Sequence, residues 1–223
     1  VPRELLPRVL DQSSFKVEKT IDNKRLFGDG NILTMYARCI TINWEGVASA
    51  IGLDAAETAE LFADGRVSGE LLQRVATRQF QLTPSNNCDL YDALFPLSQQ
   101  KIEIRLITRH GLQTCPSNQV GAKREFNHDL YLEKLNLVEY FLFLDLRTVS
   151  NTIPCYLIPS SIILKFYTDK ILNKQGATSS YKTIAKLLME STKDGWEELI
   201  TPPFEPITVL LEPGDDLVRA LTE

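Results

Sequence analysis

Asp92, Glu103 and Arg105 are the residues whose types and spacing could do chemistry in this chain. Strand residues two apart share a face. In "KIEIRLIT", 101–108, Lys101, Glu103 and Arg105 therefore form one row, and Ile102, Ile104 and Leu106 form the other. The apolar row must face a core. Asp92 precedes Glu103 by ten intervening residues, the length of one short hairpin. Two carboxylates that converge from adjacent strands can hold a hard divalent ion through oxygen. A cation two residues beyond the second carboxylate lands on the same face, where it can steady an attacking water or the charge that develops at phosphorus. Glu70, on a helix leading into the sheet, could add a third carboxylate, and Asp89 competes with Asp92 for the first position. The same charged row also fits a solvated strand face, where ion pairs gain and cost little.

The elements that would position these groups follow from period and punctuation. The pattern predicts helices over Ile32–Trp44, Glu45–Ile51 and Ala55–Phe62, with Gly52 and Gly65 as stops, and another over Val67–Phe80. "TPSNNCD", 83–89, is turn chemistry. Strands are expected over Leu90–Leu94, Lys101–Thr108, Tyr140–Asp145 and Pro154–Pro159, with a helix over Asp129–Leu137 and helix or strand over Ser160–Lys174. The whole reads as an α/β protein, a mixed central β-sheet flanked by helices with a helical N-terminal third. Its expected divisions are a helical region 1–66, an α/β core 67–191 and an acidic segment 192–223 that packs on the core.

Between the strand ending at Thr108 and the next helix lies "RHGLQTCPSNQVGAKREF", 109–126, too long and polar to be mere connection. Arg109, His110, Lys123 and Arg124 suit phosphate or guanine, and Ser117, Asn118 and Gln119 are side chains that read base edges. Gly111 and Gly121 permit close backbone approach. A helix-turn-helix reading of 47–65 fails on charge, because Asp54, Glu57, Glu60 and Asp64 on the would-be recognition helix repel a polyanion. That stretch reads as a packing helix pair. Asp145 reads as a strand-end acid.

The order of these parts resembles the PD-(D/E)XK nuclease superfamily, and within it type II restriction endonucleases. The stretches that carry the likeness are "YDALFPLSQQKIEIRLITRHG", "CPSNQVGAKREF" and "YFLFLDLRTVSNTIPCYLIPSS", about a third of the chain. The resemblance implies a restriction-endonuclease-like fold and Mg2+-dependent, site-specific hydrolysis of duplex DNA. Asp92 and Glu103 would be the metal-binding carboxylates, Arg105 would stand in the usual lysine position, and Glu70 would match the helix glutamate of many members. It further implies a homodimer on a palindromic site and a cognate DNA methyltransferase in the same system. The chain departs from the pattern in having Arg for Lys at 105 and Tyr91 where the eponymous proline would stand. Two rival readings are a nuclease of the same superfamily with another task, and a non-catalytic DNA-binding or interaction domain.

The totals are compatible with this. The chain has 223 residues, 43% hydrophobic and 24% charged, with a net charge of −5, a composition typical of a globular protein. From Thr192 onward eight acids face two bases, which leaves 22 basic and 21 acidic residues in 1–191. Lys101 to Glu125 holds five Lys or Arg and two Glu, a local basic zone suited to a DNA groove. The four cysteines are far apart, without a Cys-x-x-Cys pair. They are expected to be reduced thiols rather than zinc ligands. No apolar run approaches the ~18 to 20 residues of a membrane span, and "VPRE" offers no apolar signal region; the expected location is the cytoplasm.

Overall fold

The computed structural model describes residues 35–63, 69–86, 90–115, 125–147, 151–192, 196 and 207–209. Two compact units divide the chain, Val1–Ile32 and Leu33–Glu223, and all described residues belong to the second. It is a mixed α/β structure with nine strands and six helices among the described residues. In chain order these are β1 (Met35–Thr41), α1 (Trp44–Ile51), α2 (Ala55–Ala63), α3 (Gly69–Gln79), β2 (Thr83–Pro84), β3 (Ala93–Leu94), β4 (Lys101–Thr108) and β5 (Gly111–Gln113). There follow α4 (His128–Leu137), β6 (Tyr140–Asp145), β7 (Thr152–Pro159), α5 (Ser160–Thr168), β8 (Ala177–Thr178), α6 (Tyr181–Leu188) and β9 (Ile207–Val209).

The strands lie in the order β2-β3-β4-β6-β7-β1-β9, with β5 paired to β4 and β8 to β5. β4 and β6 run parallel, joined through α4, and the other described pairings are antiparallel. A parallel pair needs such a crossover, because a hairpin cannot return the chain in the same direction.

Period-two alternation splits the central strands between two cores. Ile102 and Ile104 of β4, Leu142 and Leu144 of β6 and Leu157 of β7 pack with Trp44 of α1, Phe62 of α2 and Leu72 of α3. Phe141 and Phe143 of β6 and Tyr156 and Ile158 of β7 point the other way, onto Tyr131 and Leu135 of α4, Ile163 of α5 and Leu187 of α6. The sheet is thus sandwiched, α1 to α3 on one face and α4 to α6 on the other. No helix among the described residues is long and apolar enough to cross a membrane.

The helix expected over Ile32–Trp44 is instead β1 through Thr41. "MYARCITI" is a short apolar run on which period alone does not separate helix from strand, and pairing with β7 decides it, with Arg38 opposite Cys155 and Ile40 opposite Ile153. The expected boundary near residue 66 therefore does not part the sheet from a helical region, since β1, α1 and α2 share the core of β4 and β6. Within 192–223, β9 pairs with β1. The expected strand over Leu90–Leu94 shortens to β3, while Thr83–Pro84, read as turn, pairs with it. The helix α6 was not anticipated; Ser180 caps it, accepting from Thr183 N.

Gly111, at the β4–β5 turn, has φ +107, and a Cβ there would meet backbone atoms of Thr178 and Ser179 across the β5–β8 pairing. Gly111→Ala is expected to cost about 2 to 4 kcal/mol from backbone strain and overpacking together. Urea unfolding of the purified variant measures this, and a loss under half a kilocalorie per mole would show that the turn relaxes freely.

Candidate active site

β4 places Glu103 and Arg105 on the face that α4 covers, with Phe141 and Phe143 of β6 beside them in register. The solvated-face reading of this row is thereby overturned at its centre: Glu103 is fully buried. Arg105 keeps 20% of its side chain exposed, and Lys101 at the strand's start is half-buried and lies over the Tyr91 ring.

What covers Glu103 is a residue that the sequence reading missed. Lys134 of α4 is 5% exposed, and its Nζ donates to Glu103 Oε1. Arg105 Nη2 forms an ion pair with the same oxygen, while Glu103 Oε2 is buried with no partner among the described residues. Tyr131, Lys134 and Leu135 are the buried positions of α4, spaced i, i+3, i+4 as an inward stripe requires. A lysine within such a stripe is the signal that could have found it, since long cations are almost never fully buried unless paired.

Asp92 stands just before β3, and its Oδ2 accepts from Ile104 N at 2.8 Å. This bond fastens the first carboxylate to the residue between Glu103 and Arg105. Asp92 is only partly buried. Burial pushes Glu103 up to about 7, with Arg105 and Lys134 pulling down and Asp92 pushing up. Burial also draws Lys134 below the ordinary lysine range, against the pull of Glu103. Arginine does not give up its proton in this range, so Arg105 favours the ionised form of Glu103 against the effect of burial, while burial weakens the hold of Lys134 on its proton. Asp92 and Glu103 against Arg105 and Lys134 make a cluster whose formal charges cancel.

The other expected site residues lie elsewhere. Glu70, on α3, is ion-paired with Arg74 at 2.5 Å, both side chains about three-quarters exposed. α3 packs on the opposite face of the sheet from Glu103, through Leu72 and Ala76, so Glu70 is not brought to the pair. Arg109 and His110 are exposed at the β4–β5 turn, with Arg109 Nε 3.4 Å from His110 Nε2. Asp145 is held by Arg147, whose Nε and Nη2 donate to its two oxygens at 2.9 and 2.6 Å. Ser117, Asn118, Gln119, Lys123 and Arg124, and the rival Asp89, lie outside the described residues.

The stem from which 116–124 departs is firmly built. Thr114 Oγ1 donates to Gly176 O at 2.8 Å and lies 2.5 Å from Tyr131 Oη. At the far end Asn127 caps α4, its Oδ1 accepting from Leu130 N at 3.0 Å. Both ends are thus fixed to the helix that carries Lys134.

The donor set fits a hard divalent ion in part. Two carboxylates come from neighbouring strands, and one of them presents a buried, unpartnered oxygen, the kind of atom that burial penalises unless something binds it. Among the described residues no cluster of three or more His, Cys, Asp or Glu could hold a metal, so further oxygens would have to come from water, backbone or substrate, as is usual for Mg2+. Compared with known proteins, the chain matches no family model, no curated protein and no solved structure.

Proposed function

We propose that the protein is a metal-dependent endonuclease of the PD-(D/E)XK type, a restriction enzyme that hydrolyses duplex DNA at a specific short site. The observation that carries this reading is the unpartnered, buried Oε2 of Glu103 beside the Asp92 that is fastened to the same strand. Asp92 and Glu103 would hold Mg2+, which supplies Lewis-acid charge neutralisation at the scissile phosphate. Arg105, a permanently charged cation on the exposed side of the cluster, would bind a phosphate oxygen. Lys134, with its proton loosely held, would exchange a proton with the water that attacks. The β4-α4-β6 order, with β4 and β6 parallel, supports the same reading.

A two-fold homodimer on a palindromic site is proposed with it, since protein symmetry then mirrors that of the DNA, and a cognate methyltransferase would protect the host. Digestion of supercoiled plasmid with Mg2+ tests the whole: discrete fragments support site-specific cutting, and a smear points to another nuclease of the superfamily. A second reading has its own observation. Glu103, Arg105 and Lys134 largely satisfy one another, as a purely structural ion cluster also would. It predicts no cleavage at any protein concentration and no response to divalent metal.

For the segment 116–124, neutralising Lys123 and Arg124 together should weaken DNA binding and lower the slope of log K against log salt by roughly 2, about one counterion per lost phosphate contact. Changes at Asn118 or Gln119 should alter site preference instead. An unchanged salt slope in fluorescence anisotropy titrations would place the DNA on another surface.

A further inference from the structure

We propose that Arg105 is a stand-in for the metal: its guanidinium occupies the seat beside Glu103 and the Ile104 carbonyl, and a divalent ion enters by displacing it. This rests on the reading of Asp92 and Glu103 as the metal pair. Arg105 Nη2 bonds Glu103 Oε1, and Nη1 reaches toward Ile104 O at 3.4 Å. The guanidinium thus faces a carboxylate oxygen and a backbone carbonyl, both oxygens of the sort a hard cation takes. Ile104 is also the residue whose N–H holds Asp92, so that the seat is bordered by both carboxylates.

Arg105 is the member of the cluster that can leave. Its Nε is buried without a hydrogen-bond partner among the described residues, and part of its side chain is exposed, whereas Lys134 is 6% exposed and fixed on α4. Charge requires a departure. The formal charges of the four groups cancel, so a divalent ion added to an unchanged cluster would leave two uncompensated positive charges beside a buried carboxylate, in surroundings of low dielectric. Swinging Arg105 outward removes one of them and sets its guanidinium where an incoming phosphate would meet it.

The test is calorimetric titration of Ca2+ and Mn2+ into the full chain without DNA, for wild type, Arg105→Gln, Arg105→Ala and Lys134→Met. Both Arg105 variants keep the Glu103–Lys134 pair, so the buried carboxylate stays compensated, and unchanged circular dichroism confirms the fold. Arg105→Gln should bind either ion at least about tenfold more tightly than wild type, and clearly more tightly than Lys134→Met. Equal or weaker affinity in Arg105→Gln and Arg105→Ala, with binding by wild type intact, overturns the stand-in and leaves the metal pair standing. Equal tightening by Arg105→Gln and Lys134→Met also overturns it, since bulk charge alone would explain the gain. Absence of binding in every variant removes the metal pair itself, and the stand-in with it.

Discussion

Asp92→Ala and Glu103→Ala are each expected to abolish DNA cleavage, while binding of a cognate duplex should persist for both when Ca2+ replaces Mg2+. Ca2+ accepts more ligands and looser geometry, so one remaining carboxylate with water and phosphate oxygens can still retain it, without the geometry that the reaction needs. The two losses differ in their effect on stability. Asp92 is partly exposed, and its removal leaves Ile104 N to find water. Glu103 is fully buried between two cations, and truncating one partner of a buried pair costs about 3 to 5 kcal/mol because the other charges are left uncompensated. Glu103→Gln, which keeps the shape and an acceptor for Lys134, separates lost chemistry from lost fold. Single-turnover cleavage at or below about one per cent of wild type in Asp92→Ala and Glu103→Gln, each with the circular dichroism of the wild type, is the expected result; Glu103→Gln should unfold at lower urea, because its amide leaves Arg105 and Lys134 without their counter-charge. A variant that cuts faster is not missing a metal ligand, and if both do, the chemistry lies elsewhere in the chain.

Arg105 and Lys134 should fall together in rate yet part company under conservative replacement. Arg105→Ala removes one preorganised cation from the phosphate, comparable to deleting an oxyanion-hole donor at about 2.7 to 4 kcal/mol, or roughly a hundred- to a thousand-fold. Arg105→Lys should retain measurable cleavage, because the charge survives while the forked geometry does not. Lys134→Met should lose a similar factor, within the ~10²- to 10⁴-fold range of a lost proton-transfer group. Lys134→Arg should be as slow as Lys134→Met, since arginine keeps the charge but cannot give up its proton. Stability should also fall in Lys134→Met: Glu103 keeps Arg105 but loses its buried hydrogen-bond donor, and removing one partner of a buried ion pair costs up to about 3 to 5 kcal/mol. Full-rate cleavage by Arg105→Ala and Lys134→Met would leave both cations as packing for a buried carboxylate.

Much of this arrangement was legible in the residues, and the illegible part has a physical pattern. β4 and β6 occupy the expected spans, Lys101–Thr108 and Tyr140–Asp145, because alternation and an unbroken apolar run are strong local signals. α4 begins one residue early, at the His128 that follows its Asn127 cap. The misreading of β1 arose where a short apolar run has no period to settle it, and only a strand 117 residues away in sequence, at Arg38 and Cys155, does so. Lys134 escaped for a related reason. Its partner lies 31 residues earlier, so its place on the inward stripe of α4 marks it as buried without naming the carboxylate that compensates it. Glu70 was assigned by its place before the sheet, but its helix packs on the other face, a choice made by Leu72 and Ala76 rather than by the glutamate.

The pairing of β9 with β1 has a bearing on solubility. Met35, Tyr36 and Ala37 pair in register with Val209, Thr208 and Ile207, so β9 covers that margin of β1. A chain cut before Ile207 would present this row of N–H and C=O groups bare, an invitation to strand addition by another copy. Self-association of such a shortened chain would then report an unsealed edge, and the short strand near its end would count as a guard against aggregation.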